Sequence, residues 1–478
     1  MKPVIPDRDY FFLIAALLMM PIQTAFAQAI NSHDWTEWNT VSPAIFPTQS
    51  WMQYETPEEA GWSSEKLTEV QQLSKRAKSA AVTVIYNGAI LTQWGQTERR
   101  FKIHSVAKSI LSALYGIAVD SGEISLDETI GSLGIDDITP LTELEKSAKV
   151  SDLLKARSGV YLPAAGESAG MRRARFKRGS YKPGTQWSYN GWDFDVLGTI
   201  YNQKTSDDMF KTFDRNLATP LQMQDFNLRH AYYNSQPNTS RHPWYSIRSS
   251  ARDQARFGLL YLNKGKWMNK QIIPPDWVQE SITPHSTHSV GGYGYLWWTF
   301  PEQSRLGKLG SYAALGNGGH AIYVVPKANL VFVHRANTYD RWQFVMSNSI
   351  ENILIGILQA RTGPAQPKPK FIVSDIVQTD SSRMDLTETE ISALAGTFYD
   401  EFHRVTIQQI NGRLEYTHPN TGSFLLSPKT PTVFELEDAQ WRLEFTLDAT
   451  GKASSLRIWI RPDESFKFQK VADDDKAK

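Results

Sequence analysis

Apolar and polar positions along the chain change period several times, and each change marks an element. Ala81–Tyr86 and Ala89–Trp94 are two strand-like runs flanking Asn87-Gly88. Asn-Gly accepts the positive φ angles of a tight turn, so the segment predicts a β-hairpin. After Ser105 the period lengthens. Val106, Ile110, Leu114 and Ile117 recur at spacings of four, four and three, one face of a helix over Ser105–Asp120, with Gly122 as its terminator. From about 124 to 290 the pattern is mostly helical with irregular joints, and Ala255–Leu262 is its clearest piece. Ala321–Val325, the turn Pro326–Asn329 and Leu330–His334 predict a second hairpin, and Ser347–Gln359 a closing helix.

Strands at both ends with helices between them imply an α+β domain over residues 58–360. Its terminal strands would share one antiparallel sheet, with a helical subdomain inserted between them. Residues 28–57 lack a sustained period and read as a surface arm. Residues 361–384 open with three prolines between Arg361 and Lys370, the composition of a linker. The period then shortens. Val405–Ile410, Asn411-Gly412 and Arg413–Tyr416 form another hairpin pattern, followed by short alternating runs near Phe434, Trp441–Phe445 and Leu456–Ile460. Residues 385–474 therefore read as a small all-β domain, a curled sheet or barrel.

Composition adds an address. The 478 residues carry a formal net charge of +1, which gives no reason to expect nucleic acid or an acidic membrane as partner. Lys2 and Arg8 precede an apolar run from Tyr10 to Ile22, and Ala25-Phe26-Ala27 follows before Gln28. That is the layout of a cleaved secretory signal over residues 1–27 and predicts export to the periplasm or beyond. The run is shorter than the ~20 residues a membrane span needs, and no other stretch is long and apolar enough. The chain has no cysteine, which suits an exported protein that needs no oxidation machinery.

The candidate chemistry narrows by elimination. There is no G-x-S-x-G elbow, no H-E-x-x-H and no phosphate loop. With no cysteine and ten scattered histidines, neither a metal nor a cofactor is expected. Ser105-Val106-Ala107-Lys108 remains. A spacing of three places both side chains on one helical face, and a serine at a helix start sits in the positive end of the dipole. Such a lysine serves as base when desolvation or a nearby cation lowers its proton affinity. Ser63-Ser64-Glu65-Lys66 matches the same pattern but opens a polar stretch, whereas Ser105 opens an apolar one.

Two further segments support the second match: Pro183–Gly191, containing Tyr189, and Gly316-Asn317-Gly318-Gly319-His320. Together with Leu153–Leu162, Ser250–Asp253, Ile273–Trp277 and Tyr293–Trp298, they resemble the serine β-lactamase-like hydrolases over about residues 55–360. That family holds class C β-lactamases, D-alanyl-D-alanine peptidases, certain esterases and the nylon-oligomer hydrolases. The C-terminal piece resembles the lipocalin-like domain that often trails such enzymes. The resemblance implies that Ser105 forms an acyl-enzyme, that Lys108 takes its proton and that Tyr189 carries protons to the leaving group and from the deacylating water. It implies an oxyanion hole from the backbone N–H groups of Ser105 and His320, and substrate contacts from Asn190, Asn317, Gly318 and Gly319.

The sequence departs from the family pattern twice. The usual Tyr-x-Asn reads Tyr189-Asn190-Gly191, and Asn317 stands where a cation usually opens the third motif. Loss of that cation disfavours substrates carrying a carboxylate and favours esters or amides. The readings carried forward are an ester or amide hydrolase, a D-amino-acid peptidase or β-lactamase, and a catalytically silent cell-wall binding protein. A small-molecule ester, amide or peptide is the expected partner. The basic run Met171–Arg178 is either a solvated loop or a cleft rim that favours acidic substrates. Tyr189 alone could be a core tyrosine, and His104 is expected to point away from the cleft.

Overall fold

The computed structural model describes residues 45–288, 291–339, 343–374, 386–419, 421–439 and 441–471. The predicted signal segment and most of the arm lie outside them. The chain divides into two compact units. One runs up to Glu98 and continues through Lys102–Phe226 and Tyr233–Ser374; the other joins Arg99–Phe101 and Asn227–Tyr232 to the C-terminal stretch.

The first unit is built on one sheet. Its strands are β1 (Trp51–Tyr54), β2 (Ser79–Tyr86), β3 (Ala89–Gly95), β4 (Ser286–His288), β5 (Gly291–Tyr293), β6 (Trp298–Thr299), β7 (Tyr312–Gly316), β8 (His320–Val325), β9 (Leu330–Ala336) and β10 (Phe371–Ser374). Their spatial order is β10-β1-β3-β2-β9-β8-β7-β6-β5-β4. Both predicted hairpins are present, and β9 pairs with β2 from Leu330 opposite Tyr86 to Ala336 opposite Ser79. This pairing joins the two ends of the domain, as the α+β reading expects.

Five helices matter for the site: α1 (Ser64–Arg76), α2 (Val106–Asp120), α3 (Gly191–Lys204), α4 (Ala251–Leu262) and α5 (Ser347–Gln359). On one sheet face, α1 and α5 bury Leu67, Val70, Ile353, Leu354 and Ile357 against Val82, Val84, Tyr323 and Phe332. On the other face α4 lies across β2, β8 and β9. The helix α2 is different, because it is buried nearly all round. Helices without a polar face belong in interiors, and this one is pinned there by hydrogen bonds. Ser109 Oγ donates to Leu296 O, Tyr115 Oη donates to Leu197 O, and Ser112 O accepts from Trp277 Nε1. A rigid base for its first residues is the result.

Two expectations at the margins are corrected. Residues 51–54 are not surface arm, since Trp51 and Tyr54 are buried and β1 lies parallel to β3. Nor is the whole of 361–384 linker, because Phe371–Ser374 pairs with Tyr54–Trp51 as the sheet's outermost strand. Each strand needs the other, and neither has enough residues to show a period alone.

In the second unit eight strands close an antiparallel barrel: β11 (Gly396–Tyr399), β12 (Arg404–Ile410), β13 (Arg413–His418), β14 (Gly422–Pro428), β15 (Val433–Leu436), β16 (Arg442–Leu447), β17 (Ala453–Arg461) and β18 (Glu464–Lys470). Alternate residues point inward, and Phe398, Ile407, Tyr416, Phe424, Phe434, Phe445 and Phe468 are buried. Arg100 belongs to this unit through Nε on Asp438 Oδ2 at 2.8 Å.

Candidate active site

Ser105 stands at the N-cap position of α2, yet its side chain does not cap the helix. Serine is favoured at this position because its oxygen usually accepts from a backbone N–H two or three residues on. Here the hydroxyl accepts instead from Lys108 Nζ at 3.0 Å. One turn of helix brings the two together, as the spacing of three requires. Lys108 Nζ lies 4.8 Å from the ring centre of Phe194 and 5.6 Å from that of Tyr189. Tyr189 is held by aromatic neighbours: Phe194 at 4.8 Å, Trp298 stacked at 5.5 Å and Tyr293 edge-on at 6.1 Å. The fold thus gathers Ser105, Lys108 and Tyr189, with Trp298 and Phe194 as a wall that the spacing arguments did not identify.

Behind Lys108 lies a carboxyl that sequence reasoning also missed. Asp195 is buried on α3, and its Oδ2 has no hydrogen-bond partner among the described residues. Burial pushes this carboxyl well above the ordinary range, against the pull of Lys108.

Asn190 is spent on structure. Its Oδ1 caps α3 by accepting from Trp192 N at 3.1 Å, and its Nδ2 donates to Val160 O at 2.6 Å and Asp193 Oδ1 at 2.9 Å. The substrate contact expected of it is therefore corrected: the amide serves the helix start. An Asn directly before Gly191 was the available signal, since Asn is a preferred N-cap.

The Gly316–His320 segment is also corrected in part. Asn317, Gly318 and Gly319 form the tip of the β7–β8 hairpin, where Gly319 N donates to Gly316 O at 3.3 Å. Gly318 and Gly319 have φ of 83° and 105°. A Cβ on Gly318 would lie 2.3 Å from Thr338 Cγ2, and one on Gly319 would lie 2.7 Å from Val345 O. The glycines are thus required by the turn and by residues packed behind it. Asn317 is half-buried at the same tip.

His320 begins β8, an interior strand enclosed by β7 and β9. An enclosed strand directs its N–H groups into its neighbours, so the expected oxyanion contact from His320 N–H is corrected. The open backbone is on β7. β6 opposes it only at Tyr312 and Ala313. Gly316 O faces the hairpin interior, and alternation then turns the N–H of Leu315 to the flank beyond Trp298. This stretch rests on the turn that leads into α2, since a Cβ on Gly316 would meet Ile103 O at 2.4 Å and Val106 Cγ2 at 3.3 Å.

The basic run is largely occupied. Arg172 donates to Glu167 O at 2.7 Å, Arg175 pairs with Glu167 at 2.9 Å, and Arg178 holds both Glu145 and Pro140 O. These bonds tie the run to neighbouring loops, while Arg172, Arg173 and Lys177 remain exposed. The ring of His104 stacks on that of His320, with centroids 5.4 Å apart. Among the described residues no cluster of His, Asp and Glu has the arrangement of a metal site.

Comparison with known proteins bears on the family. A family profile described as Beta-lactamase matches residues 65–348. The chain is 24% identical to an uncharacterized protein of Alkalihalophilus pseudofirmus over 298 residues, 54% of this chain and 84% of the relative. Among solved structures it is similar to a D-alanine carboxypeptidase from Burkholderia cenocepacia, at 15% identity, with 62% of this chain and 98% of that one covered and a TM-score of 0.46. It is also similar to the octameric penicillin-binding protein homologue from Pyrococcus abyssi, at 14% identity, 85% and 99% coverage and a TM-score of 0.45.

Proposed function

The chain belongs to the beta-lactamase family, and from that premise we propose that it is an exported serine hydrolase cleaving carboxylic esters or amides through an acyl-enzyme on Ser105. The observation that carries this reading is the 3.0 Å contact between Lys108 Nζ and a Ser105 hydroxyl left free of capping. Ser105 Oγ attacks the substrate carbonyl while its proton passes to Lys108. The carbonyl oxygen becomes an oxyanion between the N–H groups of Ser105 and Leu315, each such donor being worth about 3 kcal/mol in the transition state. The tetrahedral adduct collapses to the acyl-enzyme. The leaving alcohol or amine departs with a proton delivered through Tyr189, and a water then cleaves the acyl group by the reverse proton path.

Substrate class follows from what flanks these groups. Trp298 beside Tyr189 offers an aromatic wall, and Asn317 replaces the cation that would hold a substrate carboxylate. Neutral esters and amides are favoured over penicillins and D-alanyl peptides. Export is proposed from the Lys2–Gln28 pattern.

The test is hydrolysis of short-chain p-nitrophenyl esters by the exported protein, whose mature N-terminus should be Gln28, and by Ser105→Ala. Wild-type turnover with the variant at background supports the reading. Equal rates in both would remove Ser105 as nucleophile. If neither turns over and a fluorophosphonate leaves Ser105 unmodified, the silent binding protein becomes the better account.

A further inference from the structure

We propose that Thr338 is a positioning residue for the Ser105 nucleophile, acting through a hydroxyl that bridges the rings of His104 and His320. The proposal rests on the acyl-enzyme reading and adds a residue that no motif contains. Thr338 follows β9 and lies far from Ser105 in sequence. Its Oγ1 is 3.3 Å from His104 Nε2 and 3.1 Å from His320 Nε2. The two rings are stacked with their planes 26° apart.

One hydroxyl can serve both rings, because it has one hydrogen to donate and two lone pairs with which to accept. It accepts an N–H from both Nε2 atoms, or donates to one and accepts from the other. Burial favours the neutral form of each ring, and so do the titratable and charged groups that face it. Lys102, Arg335 and Lys108 face His104; Arg335, His104 and His334 face His320.

The bridge matters because of the backbone it fixes. His104 has a φ of 50°, a conformation that residues with a side chain adopt only when their surroundings hold them. It immediately precedes Ser105. Its carbonyl accepts from Ala107 N at 3.1 Å, and Ile103 O accepts from Val106 N at 3.2 Å, so the angle at His104 sets where α2 begins and where Ser105 Oγ points. On its other side Thr338 abuts the hairpin tip, where its Cγ2 fills the space a Gly318 side chain would need. One residue therefore braces the nucleophile turn against the hairpin that carries Leu315.

The experiment compares wild type, Thr338→Val and Thr338→Ser by the rate of fluorophosphonate labelling at Ser105, by kcat and KM on a p-nitrophenyl ester and by thermal melting. Thr338→Val removes the hydroxyl at nearly constant shape. It is expected to lower both the labelling rate and kcat at least tenfold, with KM within twofold, while Thr338→Ser stays within threefold of wild type. Labelling and kcat of Thr338→Val within twofold of wild type would overturn the proposal. So would an equal loss in Thr338→Ser, which would assign the effect to the methyl packed on Gly318. Should Thr338→Val fail to fold, His320→Gln keeps a polar atom toward Thr338 and His320→Leu does not. At least a tenfold lower kcat in the Leu variant supports the bridge, and equal kcat values overturn it. A wild-type protein that never labels would overturn the acyl-enzyme reading and this assignment with it.

Discussion

The chain carries the pattern Ser-x-x-Lys at two helix starts, and the two have opposite fates. At Ser63 the side chain accepts from Lys66 N at 3.3 Å and caps α1, while Lys66 is exposed. The residues around this cap are polar, and Glu58 adds further contacts by accepting from Ser64 N and Ser64 Oγ, both at 2.7 Å. At Ser105 the cap bond is absent, the hydroxyl meets the lysine side chain, and the helix behind it is buried nearly all round. Spacing alone brings a serine and a lysine onto one face. Backbone conformation separates the two serines: Ser63 is extended, with φ −89° and ψ 121°, as a capping residue is, whereas Ser105 is already helical, with φ −69° and ψ −7°.

The largest expected effect breaks the comparison at the lysines. Lys108→Ala removes the base and should reduce kcat by roughly 10²- to 10⁴-fold, the range for a positioned proton acceptor. Lys66→Ala should leave kcat within twofold. Steady-state ester hydrolysis measures both. A Lys108→Ala enzyme of full activity would mean that the 3.0 Å contact with Ser105 is structural only.

Burial near the second site has a consequence in pH. His334 Nδ1 lies 2.6 Å from Gly319 O, which can only accept, so Nδ1 carries the proton and Nε2 accepts from Ser79 Oγ at 2.7 Å. Burial, aided by Arg335, pushes this imidazole down to about 4. The folded form stays neutral while the unfolded form protonates near pH 6.5. The stability this histidine contributes is thus present above pH 6.5 and lost as pH falls toward 4. Buried Asp193 and Asp195 are shifted upward and act in the opposite sense, so the whole-protein curve mixes signs. A difference isolates the histidine. His334→Asn keeps a donor toward Gly319 O and cannot titrate. Between pH 6.5 and 4 wild type should lose about 3 kcal/mol relative to this variant, read from urea midpoints. Parallel curves would show that His334 is not held neutral.

The same contrast explains how much was legible in the sequence. Local features came through: the two Asn-Gly hairpins, the closing helix Ser347–Gln359, the alternating strands of the barrel, and the Ser105–Lys108 pair on a buried helix. Each depends on residues a few positions apart. Features that depend on sheet order did not. β1 and β10 are four-residue strands whose partners lie about three hundred residues away. The enclosure of His320 and the open flank at Leu315 follow from strand neighbours that no period reveals. Asn190 was misassigned for a related reason: it lies beside Tyr189 in sequence, but its side chain turns to the start of α3.

The smallest effect sharpens the comparison from the other side. Ser63→Ala deletes a side-chain acceptor at the start of α1, a loss worth about 1 kcal/mol for an N-cap serine. Glu58 continues to accept from Ser64 N, so the loss should fall toward the low end of the usual range. Ester turnover should not change, because the helix that Ser63 caps packs against α5 and carries no residue of the cleft. A denaturant midpoint lowered with kcat intact is the expected pair of results. If kcat fell as well, α1 would have to transmit strain through the sheet to Ser105, and the local backbone at each N-cap could no longer be what separates the two serines.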